Sequence, residues 1–254
     1  MMSELTTVRA DEGLYFGLGA FETIELFEGQ TLLLERHLRR LEKALAFLGI
    51  AYEEELLRQR VREGAEAAEP AIANHGALKL LVTSENVMVS TRANPYGPAE
   101  RDRGFSCCMS AVRRNETSPL VVHKTLNYGD NILEKRRALR DGFNEPLFLN
   151  TRGELAEGAT TNVFIMKDGQ LVTPPVASGL LPGIARELLL DRLDVREEVL
   201  TMDDLLAADE VFLTNSLMGV MPVREIDGAP THSMDRGREL AETFRQLALA
   251  ESAR

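Results

Sequence analysis

Lys124 is the residue of this sequence best placed for covalent chemistry. Only five of the 29 basic residues are lysines, namely Lys43, Lys79, Lys124, Lys135 and Lys167. Three of them fall in charged or turn segments, and Lys79 falls in a strand whose orientation the sequence leaves open, whereas Lys124 lies between apolar residues. A lysine in an apolar run more often extends to solvent at a strand edge, but an amine held there can also form an imine with an aldehyde cofactor.

A carboxylate further along the chain supplies a second functional group. Glu157 opens the segment Glu157–Asn162, which we predict to be a loop before a strand that starts at Asn162. Functional side chains concentrate in such loops, although a single loop glutamate is most often only solvated. A carboxylate beside a pyridine nitrogen keeps that nitrogen protonated, so the ring can accept electrons from a carbanion. Lys124 and Glu157 together therefore indicate pyridoxal phosphate (PLP) chemistry.

A phosphate group needs N–H donors, and three segments offer them. The start of a predicted helix, at Ile184 and Ala185, has free backbone N–H groups and a favourable helix dipole. Arg40 supplies a guanidinium group, although its place beside the apolar stripe of its helix favours exposure. Asn215 and Ser216 follow a predicted strand and add amide and hydroxyl groups.

Four further residues are candidates for substrate contact. Phe21 and Thr23 are two positions apart in a predicted strand, so they lie on the same face. Such a pair could line a pocket, although it is more often an ordinary part of a strand. Arg113 and Arg114 could bind a substrate carboxylate, since guanidinium groups match carboxylates in geometry, but both fit a solvated linker equally well.

The composition is that of a globular protein without a nucleic-acid or membrane partner. The 254 residues are 44% hydrophobic and 27% charged, and the net charge of −11 leaves no basic footprint for nucleic acid. No apolar run approaches the roughly 20 residues that span a bilayer. The N-terminus lacks the pattern of a signal peptide, so we predict a cytoplasmic protein. The histidines are scattered, so we predict no metal site, and the adjacent Cys107 and Cys108 cannot readily bridge each other.

Helical and strand patterns alternate irregularly, which predicts an α+β fold rather than a regular βαβ series. We predict two strands within residues 12–29, helices at 35–48 and 53–68, and strands at 77–83, 87–92 and 105–112. A helix at 129–141, strands at 146–150, 162–166 and 170–173, a helix at 183–193, a strand at 210–214 and a helix at 233–250 follow. We place an N-terminal α/β subdomain at residues 1–113, a linker at 114–120 and a C-terminal cofactor-binding subdomain at 121–254.

Several ordered segments resemble those of the class IV aminotransferases, the fold-type IV PLP enzymes. They are Tyr15–Ile24, His37–Leu41, Lys124–Tyr128, Glu157–Asn162, Thr173–Pro175, Leu181–Arg186 and Asp209–Phe212. The resemblance implies a small N-terminal α/β subdomain, a larger C-terminal subdomain built on a mixed β pseudo-barrel with flanking helices, and a homodimer. It implies that Lys124 binds PLP covalently, that Glu157 pairs with the ring nitrogen, and that Arg40 binds the phosphate. The backbone around Ile184, Ala185, Asn215 and Ser216 would assist, although Ala185 replaces a threonine that is frequent in the family.

Three activities compete within this resemblance. The segment Asn215–Val223, the short chain and Phe21–Thr23 resemble the branch that eliminates pyruvate from 4-amino-4-deoxychorismate to give 4-aminobenzoate for folate synthesis. In that branch Lys124 would be the general base, and Thr23 would assist protonation or position the leaving group. The alternatives are an aminotransferase for branched-chain or D-amino acids and a non-catalytic binding protein that keeps the fold.

Overall fold

The computed structural model describes residues 7–253, and the first part of the chain forms an antiparallel sheet covered by helices. Its strands are β1 (Ala20–Phe27), β2 (Gln30–Thr31), β3 (His75–Val82) and β4 (Val87–Ala93). Its helices are α1 (Glu12–Phe16), α2 (Leu34–Leu48), α3 (Glu54–Glu66), α4 (Pro70–Asn74) and α5 (Pro98–Arg103). The four strands lie in the order β2-β1-β3-β4.

Helix α2 covers one face of this sheet because its apolar side chains share one side. Leu38, Leu41 and Leu45 are at most 2% exposed and pack in one core with β1 and β3. Each such burial contributes roughly 1.5–3 kcal/mol. The predicted helix end at Gly49 is confirmed, since this residue has a φ of 69°, which favours glycine. The packing of α2 fixes Arg40 relative to β1.

The rest of the described chain forms a larger sheet that closes on itself. Its strands are β5 (Phe105–Met109), β6 (Glu145–Leu149), β7 (Leu155–Gly158), β8 (Asn162–Lys167), β9 (Gln170–Thr173), β10 (Val195–Glu197), β11 (Glu210–Asn215), β12 (Gly219–Ile226) and β13 (Ala229–Pro230). Its helices are α6 (Gly129–Arg140), α7 (Ile184–Arg192), α8 (Met202–Ala207) and α9 (Asp235–Ser252). Six strands form a ring in the order β8-β11-β12-β5-β6-β7, because β7 also pairs with β8. The expected β pseudo-barrel with flanking helices is confirmed.

Alternate side chains of the closed sheet enter two different cores. Val163 and Ile165 of β8 pack with Leu213 of β11 on one face. Phe164 and Phe212 point to the other face, where residues of α7 and α9 cover them. This alternation follows from the two-residue period of a strand. The sheet is therefore apolar on both faces, and polar side chains concentrate where its strands end.

Three features differ from the expectations. Residues 12–16 form a helix and not a strand, because the Asp11 side chain accepts a hydrogen bond from the N–H of Leu14 and caps it. Strand β5 pairs with β12 and β6 in the larger sheet, although we placed residues up to 113 in the N-terminal subdomain. Glu157 lies within β7 and not in a loop. Within residues 7–253, no helix combines the length and the hydropathy needed to cross a bilayer.

Candidate active site

One cavity of about 340 Å³ is lined by residues of both sheets and brings most of the candidate residues together. Eight of them line it, namely Phe21, Thr23, Arg40, Lys124, Glu157, Ile184, Asn215 and Ser216. Ala185, Arg113 and Arg114 do not. Its volume is within the range of roughly 300–1,000 Å³ that is usual for small-molecule pockets. Because the candidate residues meet in it, this cavity is the candidate active site.

Lys124 reaches the cavity from a segment that follows a short 3₁₀ turn, Pro119–Val122. Its carbonyl oxygen accepts a hydrogen bond from the N–H of Phe21 at 3.0 Å, which ties the segment to β1. Its amine lies 4.5 Å from the centroid of the Phe21 ring and 4.8 Å from that of Tyr128. Burial, together with the positive charge of Arg40, lowers the pKa of Lys124 to about 8. The partly buried side chain therefore enters the cavity between two aromatic rings, and more of its amine is neutral than in an ordinary lysine.

The lowered pKa of Lys124 predicts how fast cofactor-free protein captures PLP at different pH values. Only the neutral amine attacks an aldehyde, so the capture rate should rise about tenfold per pH unit below the pKa. The rise should level off near pH 8, where Lys124 loses its proton. Stopped-flow absorbance of the PLP band measures this rate. A rise that continues to about pH 10, the ordinary value for lysine, would contradict the assignment.

Glu157 presents a buried carboxyl group to the same cavity. It is 5% exposed, and its Oε2 accepts a hydrogen bond from the N–H of Leu181 at 3.0 Å. Burial raises the pKa of Glu157 to about 7, and the nearby charge of Arg114 only partly opposes this effect. A cationic N–H group beside this carboxyl would favour its ionised form. The environment of Glu157 therefore suits the protonated ring nitrogen of PLP.

Arg114 contacts Glu157, a partner that the sequence did not indicate. Its Nη2 lies 2.7 Å from Oε1 of Glu157, and its Nη1 donates to Oδ1 of Asn131 at 3.0 Å. The guanidinium group also lies over the ring of Phe148, 4.4 Å from its centroid. These contacts use two of the five N–H groups of Arg114, and its buried Nε has no partner among the described residues. Arg113 and Arg114 do not line the Lys124 cavity but line a neighbouring pocket that shares Glu157 with it, so their contact with a substrate carboxylate stays a prediction.

Arg40 is held in the cavity wall by Glu22, so the expected exposure is wrong. Its Nε and Nη2 donate to the two carboxylate oxygens of Glu22 at 2.8 and 2.6 Å, and its Nη1 donates to the carbonyl of Pro182 at 3.0 Å. His37 Nδ1 lies 2.6 Å from the same carboxylate. Burial opposes ionisation of Glu22, but Arg40 and His37 outweigh it and lower the pKa of Glu22 to about 2.

Sequence reasoning missed Glu22 and His37. Glu22 lies on the opposite face of β1 from Phe21 and Thr23, toward α2, and His37 and Arg40 lie three positions apart on that helix. An acid on an otherwise apolar strand face is the signal that could have indicated this cluster, because a buried carboxylate needs cationic partners. Three of the five N–H groups of Arg40 are used, which leaves two for a phosphate.

The start of α7 forms the opposite side of the candidate phosphate site. Gly183 caps this helix without a side-chain hydrogen bond, so the first N–H groups, including that of Ile184, are directed to the cavity end. A Cβ at Gly183 would overlap with the Asn162 side chain, so the close approach requires glycine. The hydroxyl of Thr214 is buried beside the cavity and has no partner among the described residues. An unpaired buried hydroxyl is costly, and a phosphate oxygen would satisfy it.

The turn between β11 and β12 forms the remaining part of the cavity wall. Asn215 Oδ1 accepts hydrogen bonds from the N–H groups of Leu217 and Met218, both at 2.9 Å, so this side chain shapes the turn. Ser216 lines the cavity within the turn. Ala185, the second residue of α7, is fully buried, and since its side chain is a methyl group only its backbone N–H could serve a phosphate.

These groups fit PLP at each of its functional ends. Lys124 supplies the amine, Glu157 supplies a buried acid for the ring nitrogen, and Arg40 with the start of α7 supplies donors for the phosphate. The unpaired hydroxyl of Thr214 adds a donor that no protein group uses in the described chain. The residues present therefore match the cofactor that Lys124 and Glu157 indicated.

Comparisons with known proteins agree with this geometry. The family profile described as "Amino-transferase class IV" matches residues 19–226. The chain is 30% identical to aminodeoxychorismate lyase of Bacillus subtilis over 85% of its own length and 80% of the relative. The structure of 4-amino-4-deoxychorismate lyase from Pseudomonas aeruginosa is 30% identical with a TM-score of 0.83, covering 96% of each chain.

The structure of an aminotransferase is also similar to this chain. The branched-chain aminotransferase of Thermoproteus uzoniensis, solved with norvaline, is 26% identical with a TM-score of 0.83, covering 98% of this chain and 92% of that one. Lyases and aminotransferases are thus both among the similar proteins. The chain therefore belongs to the class IV aminotransferase family, a family of PLP-dependent enzymes.

Proposed function

We propose that this protein is a 4-amino-4-deoxychorismate lyase that releases pyruvate and forms 4-aminobenzoate for folate synthesis. The observation that carries the proposal is that Thr23 lines the same cavity as Lys124. Elimination needs a base at the amine-bearing carbon and a proton donor for the departing oxygen, and an amine and a hydroxyl in one cavity supply both. The segment Asn215–Val223, which forms the β11–β12 turn and most of β12, supports the proposal by its resemblance to the lyases.

The chain's own residues perform the proton transfers of this reaction. Bound PLP supplies an electron sink for the carbon that bears the substrate nitrogen. The neutral amine of Lys124 takes the proton from that ring carbon. As the adjacent carbon–oxygen bond breaks, the hydroxyl of Thr23 gives its proton to the ether oxygen and pyruvate leaves as its enol. The proton that Lys124 has taken then restores the hydroxyl of Thr23. Glu157 holds a proton at the pyridine nitrogen throughout. The substrate ring becomes aromatic, and no oxidant or water is consumed.

The alternative is an aminotransferase for branched-chain or D-amino acids. It would use Lys124 and Glu157 in the same roles and would return the proton to the cofactor carbon. The similarity to the Thermoproteus uzoniensis aminotransferase favours this alternative. A hydroxyl at Thr23 has no required part in amino-group transfer, which is why we prefer the lyase.

A product assay separates these functions. Purified PLP-loaded protein should convert 4-amino-4-deoxychorismate to 4-aminobenzoate and pyruvate in equal amounts, measured by fluorescence and by coupled reduction of pyruvate. A second reaction with branched-chain L-amino acids or D-alanine and 2-oxoglutarate tests for glutamate formation. Amino-group exchange without 4-aminobenzoate would refute the lyase, and a protein that never takes up PLP would indicate a non-catalytic binding protein.

The homodimer and the cytoplasmic location stay predictions. Helix α1 supports self-association, because Leu14, Tyr15 and Phe16 are each about two-thirds exposed (65–67%) and adjacent. Contiguous apolar side chains on a surface are typical of protein–protein contacts.

A further inference from the structure

Two cationic side chains of the N-terminal sheet line the cavity beside Lys124. Lys79 of β3 pairs across the sheet with Thr23 of β1, and Arg92 of β4 pairs with Ala77 of β3. Lys79 and Ala77 are two positions apart, so Lys79, Arg92 and Thr23 share one face of the sheet. Both cations are cavity-lining residues.

Neither cation has an acidic partner in the described part of the chain. Arg92 donates only to the carbonyl of its neighbour Ala93, and the amine of Lys79 lies 4.5 Å from the centroid of the Phe21 ring. The other cations of the cavity wall differ, since Arg40 pairs with Glu22 and Lys135 pairs with a buried glutamate. Both side chains are exposed to solvent, which screens the repulsion between their charges. Their unused N–H groups are available to an anionic group of a ligand.

The Phe21 ring lies close to two amines that line the cavity. The amines of Lys124 and Lys79 both lie 4.5 Å from its centroid. Phe21 therefore brings both amines to one part of the cavity, and a substrate with a six-membered ring, an amine at one carbon and a carboxylate at the opposite carbon offers one group to each of them. A branched alkyl side chain would leave both cations without a counter-ion.

We infer that Arg92, together with Lys79, binds the substrate carboxylate that lies across the ring from the reacting amine. This contact makes the site selective for substrates that carry such a carboxylate. This inference rests on the proposed function and names the recognition group of the same site. Arg92 supplies a planar pair of N–H donors for the carboxylate, and Lys79 supplies a point charge at the Phe21 ring. Neither residue has a part in the proton transfers of the proposed reaction.

Kinetics of Arg92→Gln and Lys79→Gln test the inference. Each variant should raise the KM for 4-amino-4-deoxychorismate about 10- to 100-fold and change kcat less than about threefold, because a charged hydrogen bond is lost away from the reacting atoms. Lys43→Gln, which removes the same charge from an exposed site on α2, should leave both constants unchanged. An unchanged KM in Arg92→Gln, or a loss confined to kcat, would overturn the inference.

Ligand binding separates this inference from the proposed function. Calorimetry on PLP-loaded protein should show that 4-aminobenzoate binds at least about tenfold more tightly than its neutral isostere 4-aminobenzamide, and that Arg92→Gln abolishes the preference. Wild-type protein that forms no 4-aminobenzoate would refute the lyase, but this comparison would still decide the role of Arg92. Equal affinity of wild-type protein for acid and amide would overturn the inference even in an active lyase.

Discussion

Replacing Lys124 with alanine is expected to abolish the absorption band of the imine between Lys124 and PLP and to lower turnover on the order of 10⁴-fold. The variant loses the amine that links the cofactor and the base that takes the substrate proton. Arg40, Glu157 and the start of α7 remain, so PLP should still bind without the covalent link. Absorbance spectra of the purified protein and the rate of 4-aminobenzoate formation measure the two losses.

Lys43→Ala is the matched control for this variant. Lys43 is also a lysine, but its side chain is exposed on α2 and does not line the cavity. Its replacement should leave the spectrum and the turnover unchanged. Circular dichroism should show the same helix content in both variants. An unchanged imine band and full turnover in Lys124→Ala would contradict the assigned role. Partial recovery of turnover with added methylamine would support it.

Local patterns were enough to predict the helix that carries Arg40. The leucine stripe of α2 and the glycine at its end are signals within one helix, and the helix was found within one residue of its predicted start. Lys124 and Glu157 could be selected because few lysines exist and PLP chemistry needs an acid beside the ring nitrogen. Their convergence in one cavity supports that selection.

Contacts between distant parts of the chain could not be predicted. Arg114 appeared to be either a linker residue or a substrate ligand, and only the closure of the sheet places it against Glu157. The cluster of Glu22, His37 and Arg40 likewise depends on how α2 packs on β1. Sequence periodicity gives the face on which a side chain lies but not which residue of another element faces it.

Glu157→Gln is the second variant with a large expected effect. An amide cannot hold the pyridine nitrogen protonated, so turnover should fall about 10²- to 10³-fold, as when one electrostatic contact to developing charge is lost. The visible PLP band should remain, because Lys124 is intact. This combination separates an electronic role of Glu157 from a role in cofactor capture. Glu66→Gln, an exposed substitution on α3, is the control and should behave as wild type.

The pH profile of Arg114→Met tests whether Glu157 acts through its ionised form. Burial raises the pKa of Glu157 to about 7, and Arg114 opposes that rise, so Arg114→Met should raise the pKa further. Below its pKa the carboxyl group is protonated and resembles the amide, so Arg114→Met should be impaired near pH 7 and should recover as the pH rises. Glu157→Gln has no proton to lose and should show no such recovery. Equal profiles for the two variants would mean that Arg114 does not act through the ionisation of Glu157.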